Sequence, residues 1–214
     1  MARPRVHDQA TGEALLDSAV RLLQDGGLES VSVRGVADAS GRSFRAVYAV
    51  FGSKRALIDA LAARGYRSLA ERVNAIPVSQ DPAHDLVTAG AEGFRSFAIE
   101  QPELFRLTFE QVSGEVLRQP EVGRAALSSF EALVSRIRLA RDAGLVHPDR
   151  SDVVCAFEFH SLCQGLASSE LAARPSPGPG FWPMIRGRDL SGIWRDALTG
   201  LVAGFDVPPG LALE

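Results

Sequence analysis

Apolar side chains recur along this chain at the spacing of an α-helix. Leu15, Ala19 and Leu23 follow an i, i+4, i+8 pattern, and the pair Gly26-Gly27 after them is typical of a helix end. No stretch of the sequence sustains the strict alternation of apolar and polar residues that predicts a β-strand. The pattern therefore predicts an all-α fold.

Turn signals divide this pattern into nine predicted helices. Their ranges are 11–25, 33–39, 44–50, 53–76, 82–100, 102–110, 121–143, 151–173 and 189–205. The fourth is about 30 Å long, which is enough to join an N-terminal head to a C-terminal body. The proline-rich segment 174–187 cannot be helical, but its apolar second half predicts a loop that packs over a cavity or a partner subunit.

Three of the predicted helices begin with a serine and a cation but no acid. The three starts are Ser32-Val33-Arg34, Ser43-Phe44-Arg45 and Ser53-Lys54-Arg55. Serine is a good N-cap, but the positive end of a helix favours Asp or Glu in its first turn by about 0.3–1 kcal/mol per charge. Either exposed cations tolerate this small penalty, or an external polyanion such as a phosphate backbone supplies the missing negative charge. Three exceptions so close together favour the polyanion, and the working hypothesis is DNA.

Charge is unevenly distributed along the 214 residues, whose formal net charge is −3. Residues 1–55 carry eight basic and six acidic side chains, whereas the remainder carries 15 basic and 20 acidic ones. This division is typical of a protein that contacts DNA with one face only. Because no apolar run reaches the ~18 residues of a membrane span and the N-terminus lacks a hydrophobic signal segment, we expect a cytoplasmic protein without a membrane partner.

Two short predicted helices and the turn between them predict a helix-turn-helix. Ala37 is small enough to let the two helices cross closely, and Gly41 allows a left-handed turn without a Cβ penalty. Val36, Val47 and Val50 are expected to point into the core of this unit. Because this spacing and the cationic helix starts agree independently, DNA binding is the function that the sequence favours.

A set of residues between about positions 14 and 61 carries a family resemblance. Its members are Ala19, Leu23, Gly27, Ser32-Val33-Arg34, Val36-Ala37, Gly41, Ser43, Val47-Tyr48, Phe51, Ser53-Lys54 and Ala56-Leu57. Together they resemble the TetR family of bacterial transcriptional regulators. A weaker similarity to the regulatory domains of one branch of that family is carried by Gln101-Pro102-Glu103-Leu104-Phe105-Arg106-Leu107.

The resemblance implies a three-helix DNA-binding head followed by a helical body. The helix-turn-helix domain is expected at residues 1–52, a connecting helix at 53–76, and an effector-binding and dimerisation domain at 77–214. Contacts to phosphates, which position the protein on DNA, fall to Ser32, Arg34, Tyr48 and Lys54. Base reading falls to the exposed start of the third helix, at Arg42, Ser43, Phe44 and Arg45.

The third helix is also where this chain departs from the family. Arg42 stands where a small apolar residue is usual, Arg45 where glycine or proline is frequent, and Val50 where histidine is common. Arg45 can donate two hydrogen bonds to a guanine, which is worth about 1–3 kcal/mol of discrimination. Phe44 either contacts a thymine methyl or packs against the first helix. Two arginines within the first five residues either reach the minor groove or belong to an inert tail.

A single three-helix head offers too little contact for specific binding, so two copies are expected on a near-palindromic operator. The last two predicted helices mix apolar with small residues, which allows close helix approach. The predicted homodimer interface consists of Phe157, Gly165, Ser168, Leu190, Trp194, Leu198 and Leu201. In the TetR family such helices form a four-helix bundle across a two-fold axis, and core packing inside one subunit is the alternative.

Aromatic residues of the middle helices, with a few polar neighbours, are candidates for an effector pocket. The candidate ligand-binding residues are Phe94, Phe97, Phe105, Phe109, Phe130, His160, Cys163, Gln164 and Trp182. Aromatic residues at helical spacing are more often plain core, whereas the resemblance implies a small apolar or aromatic effector held between these helices.

The leading hypothesis is therefore a homodimeric repressor whose effector lowers operator affinity through the connecting helix. The alternative keeps the DNA-binding head but is an activator, or a regulator without a small-molecule effector.

An enzyme with Cys155 or Cys163 as nucleophile near His160 is disfavoured, because the sequence shows no oxyanion site and no orienting acid at a recognisable spacing. The two cysteines lie about 12 Å apart on one predicted helix, too far for a disulfide. His160 and Cys163 are two metal ligands without a third, so neither a metal nor a cofactor is expected.

Overall fold

The computed structural model describes residues 6–111, 114–173 and 187–209, with side chains described from residue 10 in the first range and from residue 115 in the second. These residues form helices and no strand, which confirms the predicted all-α fold. The α-helices are α1 (Val6–Ser30), α2 (Val33–Ser40), α3 (Phe44–Phe51), α4 (Lys54–Ala75), α5 (Pro82–Thr88), α6 (Arg95–Glu100), α7 (Pro102–Arg106), α8 (Gly114–Leu117), α9 (Pro120–Asp142), α10 (Asp152–Ala173) and α11 (Leu190–Ala203). Residues 174–186 of the predicted loop, among them Trp182, lie outside the described residues.

The predicted helix boundaries agree with the observed ones to within a few residues, except at the two ends of α1, and the pattern does not predict the short α8. Helix α1 begins at Val6 rather than at residue 11. Its regular backbone is interrupted where the glycine pair predicts an end, with φ −140° at Gly26 and φ +67° at Gly27. A left-handed φ is the conformation that glycine adopts without a Cβ penalty, so this pair interrupts α1 at the predicted position, and helical residues continue beyond it to Ser30.

Two stretches predicted as simple α-helices contain a π-helical turn. Residues Ala89–Phe94 link α5 to α6, and residues Leu107–Gln111 continue α7. The first π-helical turn contains Gly90, where an added Cβ would lie 2.6 Å from Cδ1 of Leu198 and 3.1 Å from Sγ of Cys163. The missing side chain lets α10 and α11 approach this turn closely.

The described residues divide into two compact units, of which the first combines residues up to Arg67 with those of Gln101–Ala126. The three N-terminal helices and the first half of α4 enclose an apolar core of Leu15, Ala19, Leu23, Val36, Val47, Leu57 and Leu61. A neighbouring apolar cluster consists of Ala62, Ala63, Val116, Val122 and Ala125, with Tyr66 packed against it. Arg64 of α4 donates to Glu13 at 2.7 Å and to Asp17 at 3.1 Å, which ties α4 to α1.

The second unit combines the described residues of Ser68–Glu100 with those from Leu127 onward. Its core contains the fully buried side chains Leu86, Phe97, Ile137, Trp194, Leu198 and Phe205. Glu170 is buried in this core, where it accepts two hydrogen bonds from Arg95, at 2.7 and 2.8 Å, and one from the indole N–H of Trp194 at 2.9 Å. The hydrogen bonds to Glu170 raise the pKa of Arg95, so the buried carboxylate faces a permanent positive charge.

Two further predictions concern the body. Cys155 and Cys163 are both free and buried, in agreement with the predicted distance that excludes a disulfide between them. None of the described helices has the length and apolar character needed to cross a membrane. The division of the chain at 1–52, 53–76 and 77–214 is a functional one and stays a prediction.

Candidate nucleic-acid interface

The three serines at the cationic helix starts all act as N-caps. The hydroxyl of Ser32 accepts from the backbone N–H of Gly35 at 3.0 Å, that of Ser43 from Ala46 at 3.2 Å, and that of Ser53 from Ala56 at 3.0 Å. The first turns of α2, α3 and α4 contain no acidic residue. The positive ends of these three helices therefore have no carboxylate of their own first turn to neutralise them.

The turn between α2 and α3 has the geometry that the sequence predicts. Gly41 adopts φ +65° and ψ 21°, and the N–H of Arg42 donates to the carbonyl of Ala37 at 3.0 Å. Val36 and Val47 are fully buried. The expectation for Val50 is wrong, because its side chain is 43% exposed and lies at the rim of α3 against Gly12.

The predicted base-reading residues occupy the exposed beginning of α3. Arg42, Ser43 and Arg45 are exposed. Phe44 is 55% exposed, and its ring stacks on Tyr48 with a centroid distance of 6.0 Å and an interplanar angle of 20°. Of the two interpretations of Phe44, this geometry favours the one in which its ring is presented to an external surface.

Four cations on this surface have no counter-ion within the described part of the chain. Arg34, Arg42, Arg45 and Lys54 are exposed and form no ion pair or side-chain hydrogen bond with a described residue. Several other arginines of the same unit form ion pairs, as in Arg55–Asp59 at 3.3 Å, Arg64–Glu13 at 2.7 Å and Arg67–Glu121 at 3.4 Å. Arg118 and Arg124 are exposed and unpaired as well, but they lie apart from the capped helix starts in the sequence. We call the four unpaired cations, with the three capped helix starts, the head surface. It is suited to bind phosphate groups.

The predicted ligand-binding residues fall into two groups. In the second unit, the ring of His160 lies edge-on to Phe94 at 5.7 Å and to Phe130 at 6.5 Å, with Phe97 and Cys163 buried in the same core. In the first unit, Phe105 and Phe109 pack together at 5.4 Å, and Tyr66 lies edge-on to Phe109 at 5.4 Å. Gln164 is half-buried on α10.

Burial governs the protonation of the polar members of this set. It lowers the pKa of His160, so the imidazole is neutral at pH 7. It raises the pKa of the Cys163 thiol, which therefore is not the thiolate that nucleophilic catalysis needs. No group of three or more His, Cys, Asp or Glu residues that could hold a metal ion occurs among the described residues.

The predicted interface residues divide by exposure. Phe157 is 63% exposed and Gly165 is exposed, while Ser168, Leu190 and Leu201 are half-buried. Trp194 and Leu198 are only 1% and 0% exposed. The prediction is corrected for these two side chains, which belong to the core of their own subunit because they pack against α10 and the π-helical turn at Ala89–Phe94.

Val153 and Val154, at the start of α10, are additional exposed apolar side chains. They belong to the apolar content that makes this helix a predicted interface. Apolar and polar residues are spread evenly around α10, so its sequence does not separate an inner from an outer face.

Known families match most of the chain. Residues 15–61 match the family described as bacterial regulatory proteins of the tetR family, and residues 87–180 match the tetracyclin repressor-like C-terminal domain. A nicotine-responsive transcriptional repressor of the helix-turn-helix type, HdnoR from Paenarthrobacter nicotinovorans, is 28% identical over 141 residues, which cover 60% of this chain and 67% of the relative.

Solved structures share the fold. A protein of unknown function from Rhodococcus has a TM-score of 0.76 at 21% identity and covers 95% of this chain and 100% of its own. The regulator FadR from Bacillus subtilis, solved in complex with stearoyl-CoA, has a TM-score of 0.69 at 15% identity and covers 90% of this chain and 98% of its own. A tetR-family regulatory protein from Rhodococcus has a TM-score of 0.61 at 17% identity and covers 90% and 96%.

Proposed function

The chain belongs to the TetR family of bacterial transcriptional regulators, and on that premise we propose that it is a homodimeric repressor released from a near-palindromic operator by a small apolar effector. The observation that carries the proposal is the head surface. Three serine-capped helix starts without acids and four unpaired cations lie within residues 32–55. A DNA backbone supplies the negative charge that this segment lacks.

Each part of the head surface has a proposed role on DNA. The start of α3 enters the major groove, where Arg42, Ser43, Phe44 and Arg45 face base edges. Arg45 donates two hydrogen bonds to a guanine, and the exposed ring of Phe44 contacts a thymine methyl. Ser32, Arg34, Tyr48 and Lys54 contact phosphates on either side and position the helix.

Dimerisation follows from α10, which carries apolar side chains on the face that its own subunit leaves open. Val153, Val154 and Phe157 are 53%, 50% and 63% exposed, and exposed Gly165 on the same helix allows a partner helix to approach closely. Exposed apolar side chains that lie together on one helix are typical of a protein–protein contact surface. We assign the open face of α10, with Leu190 and Leu201 of α11 at its margin, to a second copy of the chain.

The effector proposal rests on the aromatic residues around His160. Its neutral imidazole lies between the edges of Phe94 and Phe130, in a setting that accepts an apolar or aromatic molecule rather than an anion. The relative that responds to nicotine and the fold neighbour solved with stearoyl-CoA both have ligands with a large apolar part. Phe94 and Phe97 are nearly completely buried, and the alternative, a regulator without an effector, would bury them in the same way.

Footprinting on the DNA upstream of the protein's own gene tests the operator proposal. We expect a protected, near-palindromic site whose occupancy falls in the double variant Arg45→Gln/Lys54→Gln. The variant Arg118→Gln/Arg124→Gln removes the same charge from exposed positions outside the head surface and is the matched control. Equal footprints for both variants would remove the head surface from DNA binding.

A thermal-shift screen of small apolar compounds, followed by a gel shift with each hit, tests the effector proposal. A hit that stabilises the protein and releases the operator supports an effector-responsive repressor. Hits that stabilise the protein without changing operator affinity, or the absence of any hit, favour the regulator without an effector.

A further inference from the structure

The second unit contains a pocket that does not involve the aromatic residues around His160. It has a volume of about 470 Å³ and lies between the start of α5, the turn after α9 and the end of α11. Val87, Leu145 and Val202 form an apolar wall, and none of the predicted ligand-binding residues lines it. This volume lies within the range of small-molecule sites, about 300–1,000 Å³.

The pocket has a one-sided charge. Asp81, Asp206 and His84 are its titratable lining residues, and neither Lys nor Arg is among the described residues that line it. Asp81 accepts from the backbone N–H of His84 at 3.0 Å through Oδ1 as the N-cap of α5. Asp206 is exposed and forms no hydrogen bond or ion pair with a described side chain. Two acidic residues therefore line this pocket with His84 but without a Lys or Arg of the described chain.

The end of α11 gives a second electrostatic argument. The negative end of a helix favours a cation, but the last turn of α11 has no basic residue and the following 3-10 turn, Gly204–Asp206, ends in an acid. This is the reverse of the arrangement at α2, α3 and α4, where cations lie at positive helix ends. An external cation in the pocket would relieve the repulsion between Asp206 and the carbonyl end of α11.

The apolar wall decides which kind of cation fits. A metal ion requires several polar ligands, and no group of three or more potential metal ligands exists among the described residues. We propose that this pocket, which we call the α5–α11 pocket, binds a small organic ammonium ion. Its nitrogen lies between Asp81 and Asp206, and its hydrocarbon part lies against Val87, Leu145 and Val202. The proposal is independent of the operator and of the effector.

Titration calorimetry on the full chain tests the proposal with three probes of equal chain length: n-hexylammonium, 1-hexanol and hexanoate. We expect saturable binding of n-hexylammonium, weaker binding of the neutral alcohol and the weakest binding of the anion. Loss of one partly exposed ion pair worth up to ~1 kcal/mol corresponds to about fivefold in affinity, which is the expected gap between the amine and the alcohol. Equal affinities for all three probes, or no saturable binding of the amine, would overturn the proposal.

Two variants locate the site. Asp206→Asn should weaken n-hexylammonium binding about fivefold. Asp142→Asn removes the same charge from an exposed position of α9 that does not line the pocket, and should have no effect. Thr199→Trp places a large ring at an exposed lining position and should abolish binding while the helical circular-dichroism spectrum is retained. Binding that survives Thr199→Trp, or that responds equally to the two Asp→Asn changes, would place the amine elsewhere and refute the assignment.

Discussion

Arg45 and Lys54 lie in the first turns of neighbouring helices but have different expected roles. Arg45, on α3, faces base edges, so Arg45→Ala should lose the preference at one base position, at a cost of about 1–3 kcal/mol on the preferred base. Fluorescence anisotropy with the operator and its single-base variants measures this change. Unchanged base preference would remove Arg45 from base reading.

Lys54, on α4, is expected to contact a phosphate. Lys54→Ala should weaken binding to all sequences similarly and reduce the slope of log affinity against log salt by about one. Anisotropy at several salt concentrations measures the slope. Arg55→Ala is the matched control, because Arg55 is already paired with Asp59 at 3.3 Å, and a slope change as large as that of Lys54→Ala would contradict the assignment.

At the residue scale, local rules predict conformation better than exposure. Gly41 and the caps Ser32, Ser43 and Ser53 follow from backbone chemistry alone, and the structure confirms them. Val50 shows the limit of such rules, since its hydropathy predicts burial although the end of the short α3 leaves it at a rim.

Arg34 lies in the first turn of α2, where an acid would stabilise the helix. Arg34→Glu changes the charge by two and should therefore raise the free energy of unfolding by about 0.6–2 kcal/mol while it weakens operator binding. Urea unfolding at one fixed protein concentration, paired with a gel shift, measures both effects. Arg124→Glu makes the same charge change beyond the first turn of α9 and should leave stability nearly unchanged. Destabilisation by Arg34→Glu would contradict the electrostatic account of the head surface.

Helix α4 meets the π-helical segment Leu107–Gln111 at a glycine. A Cβ added to Gly65 would lie 1.9 Å from Oγ1 of Thr108, whose hydroxyl is held by a 2.7 Å hydrogen bond to the carbonyl of Leu104. Gly65→Ala should therefore destabilise the protein by about 1–3 kcal/mol.

A double variant isolates this contact. Gly65→Ala/Thr108→Ala should lose less stability than the sum of the single changes, since the hydroxyl clash is removed. Gly200→Ala is the control, because a Cβ there meets nothing within 4 Å. Additive losses measured by urea unfolding would show that this contact is not what constrains Gly65.

At the scale of elements, periodicity and caps predict most helices, but they do not predict how a helix deviates from regularity. The π-helical turns at 89–94 and 107–111 coincide with close tertiary contacts at Gly90 and Thr108, which a pattern with a period of 3.6 residues does not encode. The sequence of α10 likewise identifies an apolar helix, but not which of its faces the subunit covers.

At the scale of the whole molecule, the proposed dimer depends on the open face of α10. Phe157→Arg should convert the protein to a monomer and weaken operator binding, because a charged side chain replaces an apolar one that is 63% exposed in the subunit. Sedimentation velocity measures the oligomeric state. Val78→Arg, at a position that is 61% exposed outside α10, should leave the dimer intact. A Phe157→Arg variant that stays dimeric would place the interface on another surface.

The candidate site could be predicted more fully in the head than in the body. The head surface depends on neighbouring residues along the chain, so its capped starts and exposed cations follow from sequence. The body depends on which distant helices meet. The sequence therefore places Trp194 at an interface although it lies in the core. The α5–α11 pocket, which joins three helix ends, has no signature in the sequence.

The hydrogen bond between Trp194 and Glu170 makes the body suitable for fluorescence spectroscopy. Trp194 is one of only two tryptophans in the sequence, and its indole N–H donates to a buried carboxylate at 2.9 Å. Its ring lies 6.4 Å from Phe94, which itself contacts His160. In a Trp182→Phe background, the ultraviolet emission comes from this single indole, so a molecule that displaces Phe94 changes its wavelength or intensity. The chain thus carries its own optical reporter beside the residues where an effector is expected.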